Sequence, residues 1–350
     1  MNILVENIGM IRQSNIEING ITVIAGSNDT GKSTIGKVLF ATIKSLNIIR
    51  SKKNPDIGRT LATWFNLTFD GNATFDTGKI CFSENTAKIE LGIKNNNNKH
   101  RITVNSLKEV NNIPFTDATF IHTPIVFDLS SFFVKILSIK NNMDTYDIFS
   151  NQRKKMKLDF GFSYPVTLWD LHNKIYQDNP FPNSGKSSNL AGQIKKIIGG
   201  EIKKNYDKLS FEKNVKNGIF NIEISNTAFG IKSFGVLQLI NNNGYLTKKN
   251  LLIIDEPENH LHPEWQLKYA QILVELARTG VCILVNTHSP YMLQAINKYS
   301  NENKIVKNKT KFYLAQTLKN DWQSEIIDKT ENLNDIFIRL AKPLQDITWG

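Results

Sequence analysis

Apolar positions follow two spacings along the chain, and each spacing predicts a different kind of element. Short continuous apolar runs at residues 21–25, 251–254 and 281–285 are typical of buried strands in a parallel sheet. Helical spacing follows two of these runs, at about 32–47 and at 263–280. Strand, helix and strand in this order predict an α/β fold with parallel, right-handed crossovers.

The middle of the chain has other patterns. From 60 to 122, strand-like runs between turn signals predict an antiparallel β-subdomain. Its predicted strands are Leu61–Phe69, Lys79–Phe82, Ala87–Ile93, Arg101–Val104 and Ala118–Ile121, with a hairpin tip at Asn95–Asn98. From 126 to 215 the pattern becomes helical, and from 216 the α/β pattern returns. We therefore divide the chain into a first lobe (1–125), a helical insertion (126–215) and a second lobe (216–350).

Composition excludes several classes of protein. The 350 residues are 40% hydrophobic and 21% charged, which suits a folded core. No apolar run is long enough for a transmembrane helix, and the first residues lack the features of a signal peptide. The two cysteines, Cys81 and Cys282, allow neither a disulfide scaffold nor a cysteine-based zinc site. We expect a cytoplasmic protein without a membrane partner.

The net charge of +11 slightly favours polyanionic partners such as nucleic acid over the alternative explanation, an Asn/Lys-rich coding bias. Residues 131–210 contain 13 Lys and Arg against 7 Asp and Glu, so the insertion is basic. Its densest run is Arg153–Lys157, which reads either as a solvated helix face or as a contact with DNA, RNA or a protein.

One motif carries specific chemistry. The strand at 21–25 leads into Gly26, Ser27, Asn28, Asp29, Thr30, Gly31, Lys32, Ser33 and Thr34, which match the phosphate-loop pattern without a gap. Glycines let backbone amides close around phosphates, and the following helix adds partial positive charge. We expect Lys32 to reach the β- and γ-phosphates of ATP and Ser33 to ligate Mg²⁺.

A second strand ends in acidic residues. The run at 251–254 is followed by Asp255 and Glu256. A carboxylate at the end of a central strand can hold Mg²⁺, and the next can take a proton from attacking water. We therefore assign Asp255 to the metal and Glu256 to the general base.

Histidine marks the end of the next strand. Because parallel strands end at one edge of the sheet, His288 should lie near the phosphate loop, and we predict that it senses the γ-phosphate. His260 and His262 have no third ligand at metal-site spacing, so we interpret them as helix-entry or interface residues.

Together these residues resemble a known group. The phosphate loop, the run Asp255–Glu258 with His262–Gln266, and the turn Thr287–Pro290 are similar to ABC-type ATPases of the RecF/SMC/OLD-like branch. The resemblance extends over nearly the whole chain, to residues 311–315 and 340–344. It implies a P-loop NTPase fold, an ABC ATPase head, in which two subunits enclose two ATP molecules as a homodimer or part of a higher oligomer.

The resemblance also implies a signature helix that completes the partner's site. The segment 226–235 occupies the expected place, so Gly230, Ile231 and Lys232 become candidates for contact with a phosphate in trans. The family pattern has Ser before the glycine, whereas this chain has Phe229. Phosphate sensing then falls to Lys232, Ser233 or backbone amides, and a simple glycine-broken amphipathic helix is the alternative. The glutamine switch of the family has no clear counterpart, and His122 is a weak candidate for it.

Three functions remain open at this stage. About 60 residues follow Pro290, too few for the nuclease domain of OLD-type relatives. The first hypothesis is therefore an ATP-hydrolysing dimeric switch that controls a separately encoded effector, a nuclease or toxin, in anti-phage defence. The second is a DNA-binding recombination or repair ATPase. The third is a nucleotide-bound scaffold with little turnover, which Phe229 favours.

Overall fold

The structure is a computed structural model that describes residues 1–69, 77–96, 99–135, 165–176, 188–205, 208–319 and 321–349. The basic run Arg153–Lys157 and residues 97 and 98 of the predicted hairpin tip lie outside the described residues. None of the described helices is both long and apolar enough to cross a membrane.

The described strands follow the chain from its start to residue 328. They are β1 (Asn2–Ile8), β2 (Ile11–Glu17), β3 (Ile21–Gly26), β4 (Thr77–Glu84), β5 (Ala87–Asn96), β6 (Lys99–Lys108), β7 (Asp117–Ile121), β8 (Glu201–Asn205), β9 (Lys208–Val215), β10 (Gly218–Glu223), β11 (Asn250–Asp255), β12 (Cys282–Thr287), β13 (Thr310–Thr317) and β14 (Ser324–Asp328). The helices are α1 (Lys32–Ser51), α2 (Ile57–Thr68), α3 (Val166–Tyr176), α4 (Ser188–Ile198), α5 (Phe229–Asn242), α6 (Pro263–Arg278), α7 (Pro290–Glu302), α8 (Lys304–Lys307) and α9 (Leu333–Trp349).

One large sheet organises the fold. Its order is β6-β5-β4-β1-β2-β14-β13-β3-β12-β11-β7. The strands β13, β3, β12, β11 and β7 pair in parallel, whereas β1, β2, β4, β5 and β6 pair antiparallel. The predicted parallel pairing of β11 and β12 is confirmed. The antiparallel strands extend the same sheet rather than form a separate one.

Helices cover both faces of the parallel strands. Side chains alternate between two apolar cores: Leu252 and Ile254 of β11 belong to one, Leu251 and Ile253 to the other. The first core includes apolar residues of α3 to α7, and the second includes those of α1 and α2. Burial on both faces explains why these strands read as continuous apolar runs.

The prediction of a strand at Leu61–Phe69 is wrong, because this segment lies in α2. Asp56 caps the helix, since its carboxylate accepts a 3.0 Å hydrogen bond from the Arg59 amide. Leu61, Phe65 and Thr68 are buried at helical spacing. Capping and one-sided burial override the strand preference of the aromatic and β-branched residues here.

The helical prediction for 126–215 is wrong from residue 201 onward. Gly199 takes a left-handed conformation with φ of 67° after α4. The chain then forms β8, β9 and β10, a separate antiparallel sheet in which Ile202 pairs with Phe211 and both are buried. The predicted insertion therefore contains strands as well as helices.

Four charged side chains connect α1, β7 and α3 through ion pairs: Lys44, Asp117, Asp170 and Lys174. Lys44 Nζ lies 2.5 Å from Asp117 Oδ1 and 2.6 Å from Asp170 Oδ1. Lys174 Nζ lies 2.8 Å from Asp117 Oδ2 and 3.0 Å from Asp170 Oδ2. Burial opposes ionisation of Asp117, but Lys174 and Lys44 outweigh it and lower the pKa of this carboxyl to about 2. This charge quartet connects the phosphate-loop helix with the segment predicted as an insertion.

Candidate functional site

The phosphate loop turns the chain from β3 into α1. Asp29 and Gly31 are left-handed, with φ of 60° and 79°. A Cβ at Gly31 would also lie 2.6 Å from Ile11 Cγ1, so both conformation and space require glycine there. No side chain at Gly31 caps α1, which leaves the first helical amides available to an anion.

The remaining loop residues divide between surface and interior. Ser27, Asn28 and Asp29 are exposed, while Ser33 and Thr34 are half-buried. Thr30 is buried, and its hydroxyl donates a 2.9 Å hydrogen bond to the Ser27 carbonyl. This bond closes the loop across its base.

Lys32 folds back into the loop. Its ammonium donates to the carbonyl oxygens of Gly26 at 2.9 Å and Ser27 at 2.5 Å. Burial lowers the pKa of Lys32, although nearby Glu256, Asp255 and Glu258 partly oppose this effect. A buried ammonium held only by carbonyl oxygens is ready to bind an anionic phosphate.

Asp255 lies at the carboxyl end of β11, beside the loop. The Ser33 hydroxyl donates to its Oδ1 at 3.0 Å, and the Asn286 amide donates to the same atom at 2.8 Å. Burial would raise the pKa of Asp255, but hydrogen bonds from His122, Asn286 and Ser33 outweigh burial and lower it. The carboxylate therefore remains charged, and a hydroxyl paired with a carboxylate is the hard oxygen donor set that suits Mg²⁺.

Glu256 follows in a strained backbone conformation, with φ of 51°. Its amide donates to the Asn286 carbonyl at 2.9 Å, and its Oε2 accepts a 3.0 Å hydrogen bond from the Asn259 side chain. Its Oε1 lies 3.7 Å from His288 Nδ1. A partly exposed carboxylate held in this way can accept a proton from water.

Two histidines lie at this edge of the sheet. His288 follows β12 and is 39% exposed. His122 follows β7, and its Nδ1 lies 3.4 Å from Asp255 Oδ2. His122 was only a weak sequence candidate, yet it lies against the carboxylate assigned to the metal.

The predicted signature segment leads into α5, and Gly230, Ile231 and Lys232 lie in the first turn of this helix. A Cβ at Gly230 would lie 2.7 Å from the indole of Trp265, so glycine lets α5 pack closely against α6. Phe229 is partly exposed, and its ring centroid lies 4.6 Å from that of His260. The turn therefore presents an aromatic surface where the family pattern has a serine.

Lys232 has a partner within its own chain. Its ammonium lies 2.6 Å from Asp128 Oδ1, and its side chain is 4% exposed. The sequence proposed Lys232 for contact with a partner's phosphate, but here its charge is neutralised by Asp128. Gly230 and Ile231 lie in the first turn of α5, where backbone amides have no partner within the helix, so these amides stay candidates.

Sequence reasoning missed three residues of the site. Asn286 ends an apolar run, Asn259 lies in a turn, and Glu258 is buried behind His288. An indirect signal was present, because all three lie within four residues of Asp255, Glu256 or His288. His262 has the predicted helix-entry role, since its Nδ1 accepts a hydrogen bond from the Glu264 amide as the cap of α6.

Comparison with known proteins gives a family. Residues 21–294 match the model of a family described as "AAA domain, putative AbiEii toxin, Type IV TA system". The chain belongs to this family. The match covers the phosphate loop, both carboxylates and His288. A search of curated proteins finds no match.

Solved structures resemble this AAA-domain protein in fold. An Smc head bound to the C-terminal winged-helix domain of ScpA aligns with a TM-score of 0.52 and 12% identity, over 95% of this chain and 98% of that one. Two further structures align less closely. An SMC head domain from Thermotoga maritima has a TM-score of 0.44, with 13% identity over 93% and 97% of the two chains. An Smc head with an extended coiled coil, bound to ScpA derived from Pyrococcus furiosus, has a TM-score of 0.49, with 14% identity over 99% and 98%.

Family and fold together confirm the predicted resemblance. The chain belongs to the AAA-domain family, and its mixed α/β P-loop fold is the fold of the SMC head that it resembles. This fold binds a nucleotide and typically Mg²⁺.

Proposed function

We propose that this protein hydrolyses ATP, with Glu256 as the general base. The observation that carries the proposal is the convergence of Lys32, Ser33, Asp255 and Glu256 at one edge of the sheet. Lys32 and the loop amides would hold the phosphates. Ser33 and Asp255 would hold Mg²⁺, which supplies charge neutralisation on the phosphates.

The chain's own residues account for proton transfer. Glu256 accepts the proton of the attacking water at its carboxylate, while Asn259 and the Asn286 carbonyl fix its position. His288, next to Glu256, is the proposed γ-phosphate sensor. His122 contacts Asp255 at the place where the family has a glutamine, and we assign it to orienting that carboxylate.

Steady-state phosphate release tests the proposal. We expect turnover by the wild type and a loss of about 10²–10⁴-fold in Glu256→Gln, the usual contribution of a positioned base. Lys32→Ala should lose ATP binding as well. Glu264→Gln is the matched control, because Glu264 is exposed on α6 and, among the described residues, its carboxylate forms an ion pair with Lys268 alone. Equal rates in the wild type and Glu256→Gln would contradict the proposal and favour a scaffold with little turnover.

We also propose that the protein forms a homodimer that closes when ATP binds. In this dimer the backbone amides of Gly230 and Ile231 face the phosphate of the ATP bound to the partner subunit. The similarity to SMC heads supports a shared fold, and one such head is bound to a protein, ScpA. By analogy we assign this chain a protein partner as well. Such a partner is an effector whose activity follows the state of the dimer.

The effector hypothesis also draws on the family description, which names a toxin and a type IV toxin–antitoxin system. We assign the protein to ATP-dependent control of a separately encoded nuclease or toxin in anti-phage defence. Cells carrying the gene with its genomic neighbours should resist phage, and Lys32→Ala should abolish resistance. Resistance that persists in Lys32→Ala contradicts this role.

One surface favours the second candidate, a DNA-binding recombination or repair ATPase. Exposed lysines follow the edge of the sheet opposite the phosphate loop, where the parallel strands begin. Lys309 and Lys249 each accept a backbone hydrogen bond at this edge, from Ile21 and Thr116 respectively. Five lysines here make no ion pair with any residue that the structure describes: Lys248, Lys249, Lys304, Lys307 and Lys309.

DNA binding followed by fluorescence anisotropy tests this candidate. A plot of the logarithm of the DNA-binding constant against the logarithm of the salt concentration should have a slope of about −0.9 for each phosphate neutralised. Replacing Lys248, Lys249 and Lys309 with Gln should make this slope less steep by the equivalent of up to about three phosphate contacts. Replacing Lys268, which is already paired with Glu264, is the control. Absent or salt-insensitive binding excludes the candidate.

A further inference from the structure

Glu258 is a buried carboxylate beside the site, and it has no direct role in the proposed hydrolysis. Its side chain is 4% exposed. One oxygen, Oε1, accepts three hydrogen bonds: from the Thr287 hydroxyl at 2.8 Å, from the His288 amide at 2.6 Å and from the Ser289 amide at 3.1 Å. These donors are consecutive residues of the turn from β12 to α7, so a single carboxylate oxygen holds the whole turn.

The same oxygen also faces the side chain of His288. His288 Nδ1 lies 3.2 Å from Glu258 Oε1, closer than its 3.7 Å distance from Glu256 Oε1. Nδ1 is buried and makes no hydrogen bond with the residues that the structure describes, and these two carboxylates are the acidic groups within 4 Å of it. Nε2 is the ring nitrogen left to meet a ligand. Carboxylates next to an imidazole commonly determine which nitrogen carries the proton.

The turn is also fixed from the opposite side. The Ser289 hydroxyl donates to Gln266 of α6 at 2.6 Å, and the Gln266 amide donates to the Leu261 carbonyl at 3.0 Å. Ser289 is therefore anchored twice, by Glu258 at its amide and by Gln266 at its hydroxyl. The proximity of Glu258 to the His288 ring is a separate feature from these backbone contacts.

Glu258 is also linked to the two carboxylates of the site through the chain itself. It lies three residues after Asp255 and two after Glu256, and the Glu258 carbonyl accepts a 2.9 Å hydrogen bond from Leu261. One short segment therefore carries the metal carboxylate, the base and the contact to His288. Burying a charged carboxylate is costly, and the amide and hydroxyl donors offset that cost at Oε1, while Oε2 has no hydrogen-bond partner among the described residues.

We propose that Glu258 is a positioning residue that acts through His288. It holds the ring with Nδ1 protonated and directed inward, so that Nε2 faces the nucleotide. The proposal rests on the proposed role of His288 at the γ-phosphate. It differs from a purely structural role because it predicts a specific tautomer.

Long-range ¹H–¹⁵N spectra of histidine-labelled protein test the tautomer without any need for activity. The His288 signal is identified by its loss in His288→Gln. At alkaline pH, where imidazole is neutral, the wild type should show a protonated Nδ1. Glu258→Gln should shift His288 towards the Nε2-protonated form, while Glu264→Gln leaves it unchanged. An unchanged His288 signal in Glu258→Gln overturns the proposal.

A kinetic cycle provides the second readout. Glu258→Gln should lower kcat by about 10–100-fold, the usual effect of removing a residue that orients a ligand-contacting side chain. The affinity for ATP should be nearly unchanged. In a His288→Ala background the same substitution should cost little more, because its effect passes through the ring. An equal cost in both backgrounds, or a fall in thermal stability alone, assigns Glu258 to structure and overturns the proposal.

The two readouts separate failure of this proposal from failure of the ATPase assignment. A wild type without turnover refutes ATP hydrolysis, and the spectra still decide whether Glu258 sets the tautomer. A wild type with turnover and an unaltered tautomer in Glu258→Gln refutes only the role of Glu258.

Discussion

The Ser33 hydroxyl donates a 3.0 Å hydrogen bond to Asp255, although 222 residues separate them in the chain. Ser33 is the second residue of α1, and Asp255 is the last residue of β11. The strand order places β12 between β3 and β11, and all three run parallel. Parallel topology therefore brings both oxygen donors to one edge of the sheet.

Replacement of Ser33 tests whether this pair holds Mg²⁺. In Ser33→Ala the apparent Mg²⁺ affinity during ATP binding should fall by at least about tenfold, since even the loss of an outer partner can cost that much. Titration of Mg²⁺ with a fluorescent ATP analogue measures it. Ser51→Ala, at the exposed end of the same helix, is the control. An unchanged Mg²⁺ dependence would remove Ser33 from the metal site.

The charge quartet predicts a pH-dependent stability. Asp117 has a pKa of about 2 in the fold against an ordinary 3.8, so its contribution is complete above the ordinary value and is lost as pH falls through about 2. Asp117→Asn should lower the free energy of unfolding by about 3 kcal/mol near neutral pH, because it leaves two buried ammonium groups with Asp170 as their one remaining carboxylate in the quartet. The difference from wild type should narrow in acid.

Urea unfolding at neutral and acidic pH measures this effect. Asp335→Asn is the control, because Asp335 forms a largely solvated surface pair with Lys329 and such pairs contribute at most about 1 kcal/mol. A difference between Asp117→Asn and wild type that does not change with pH would contradict the assignment of the ionised carboxylate to the quartet.

Gly230 tests the packing of the signature turn. Gly230→Ala should destabilise the protein by about 1–3 kcal/mol, because the new methyl group overlaps the Trp265 indole. Gly192→Ala is the matched control: Gly192 lies within α4 with open space around it, and alanine there should stabilise by about 0.5–1 kcal/mol. Thermal unfolding distinguishes the two signs. A neutral or stabilising Gly230→Ala would show that close packing does not require this glycine.

Lys232 and Asp128 form an ion pair, and double substitution can show whether Lys232 stabilises the fold or contacts the partner's phosphate. Lys232→Met and Asp128→Asn should destabilise the protein by similar amounts, and the double variant should be no worse than either, with a coupling of about 0.5–3 kcal/mol. ATP-dependent association, measured in the Glu256→Gln background, should persist in all three. Loss of association in Lys232→Met alone would instead assign Lys232 to the partner's phosphate.

The central strands and the phosphate loop were predictable because apolar runs and a gap-free motif are local signals. The helix at 57–68 was not, since Trp64, Phe65 and Thr68 favour strand locally while the Asp56 cap and one-sided burial favour helix. The contacts of Glu258 and the charge quartet depend on tertiary neighbours, so no spacing in the sequence indicates them. His122 was noticed by position alone, and its contact with Asp255 requires the adjacent pairing of β7 and β11.

The most direct test of the central claim is the mass of Glu256→Gln in solution with and without ATP·Mg²⁺, measured by light scattering. The account predicts that ATP·Mg²⁺ converts this variant to a stable dimer or larger assembly, because ATP closes the interface and hydrolysis no longer opens it. Lys32→Ala/Glu256→Gln should show no change with ATP. A mass of Glu256→Gln that stays the same with ATP bound would contradict the switch and leave a nucleotide-bound scaffold as the better description.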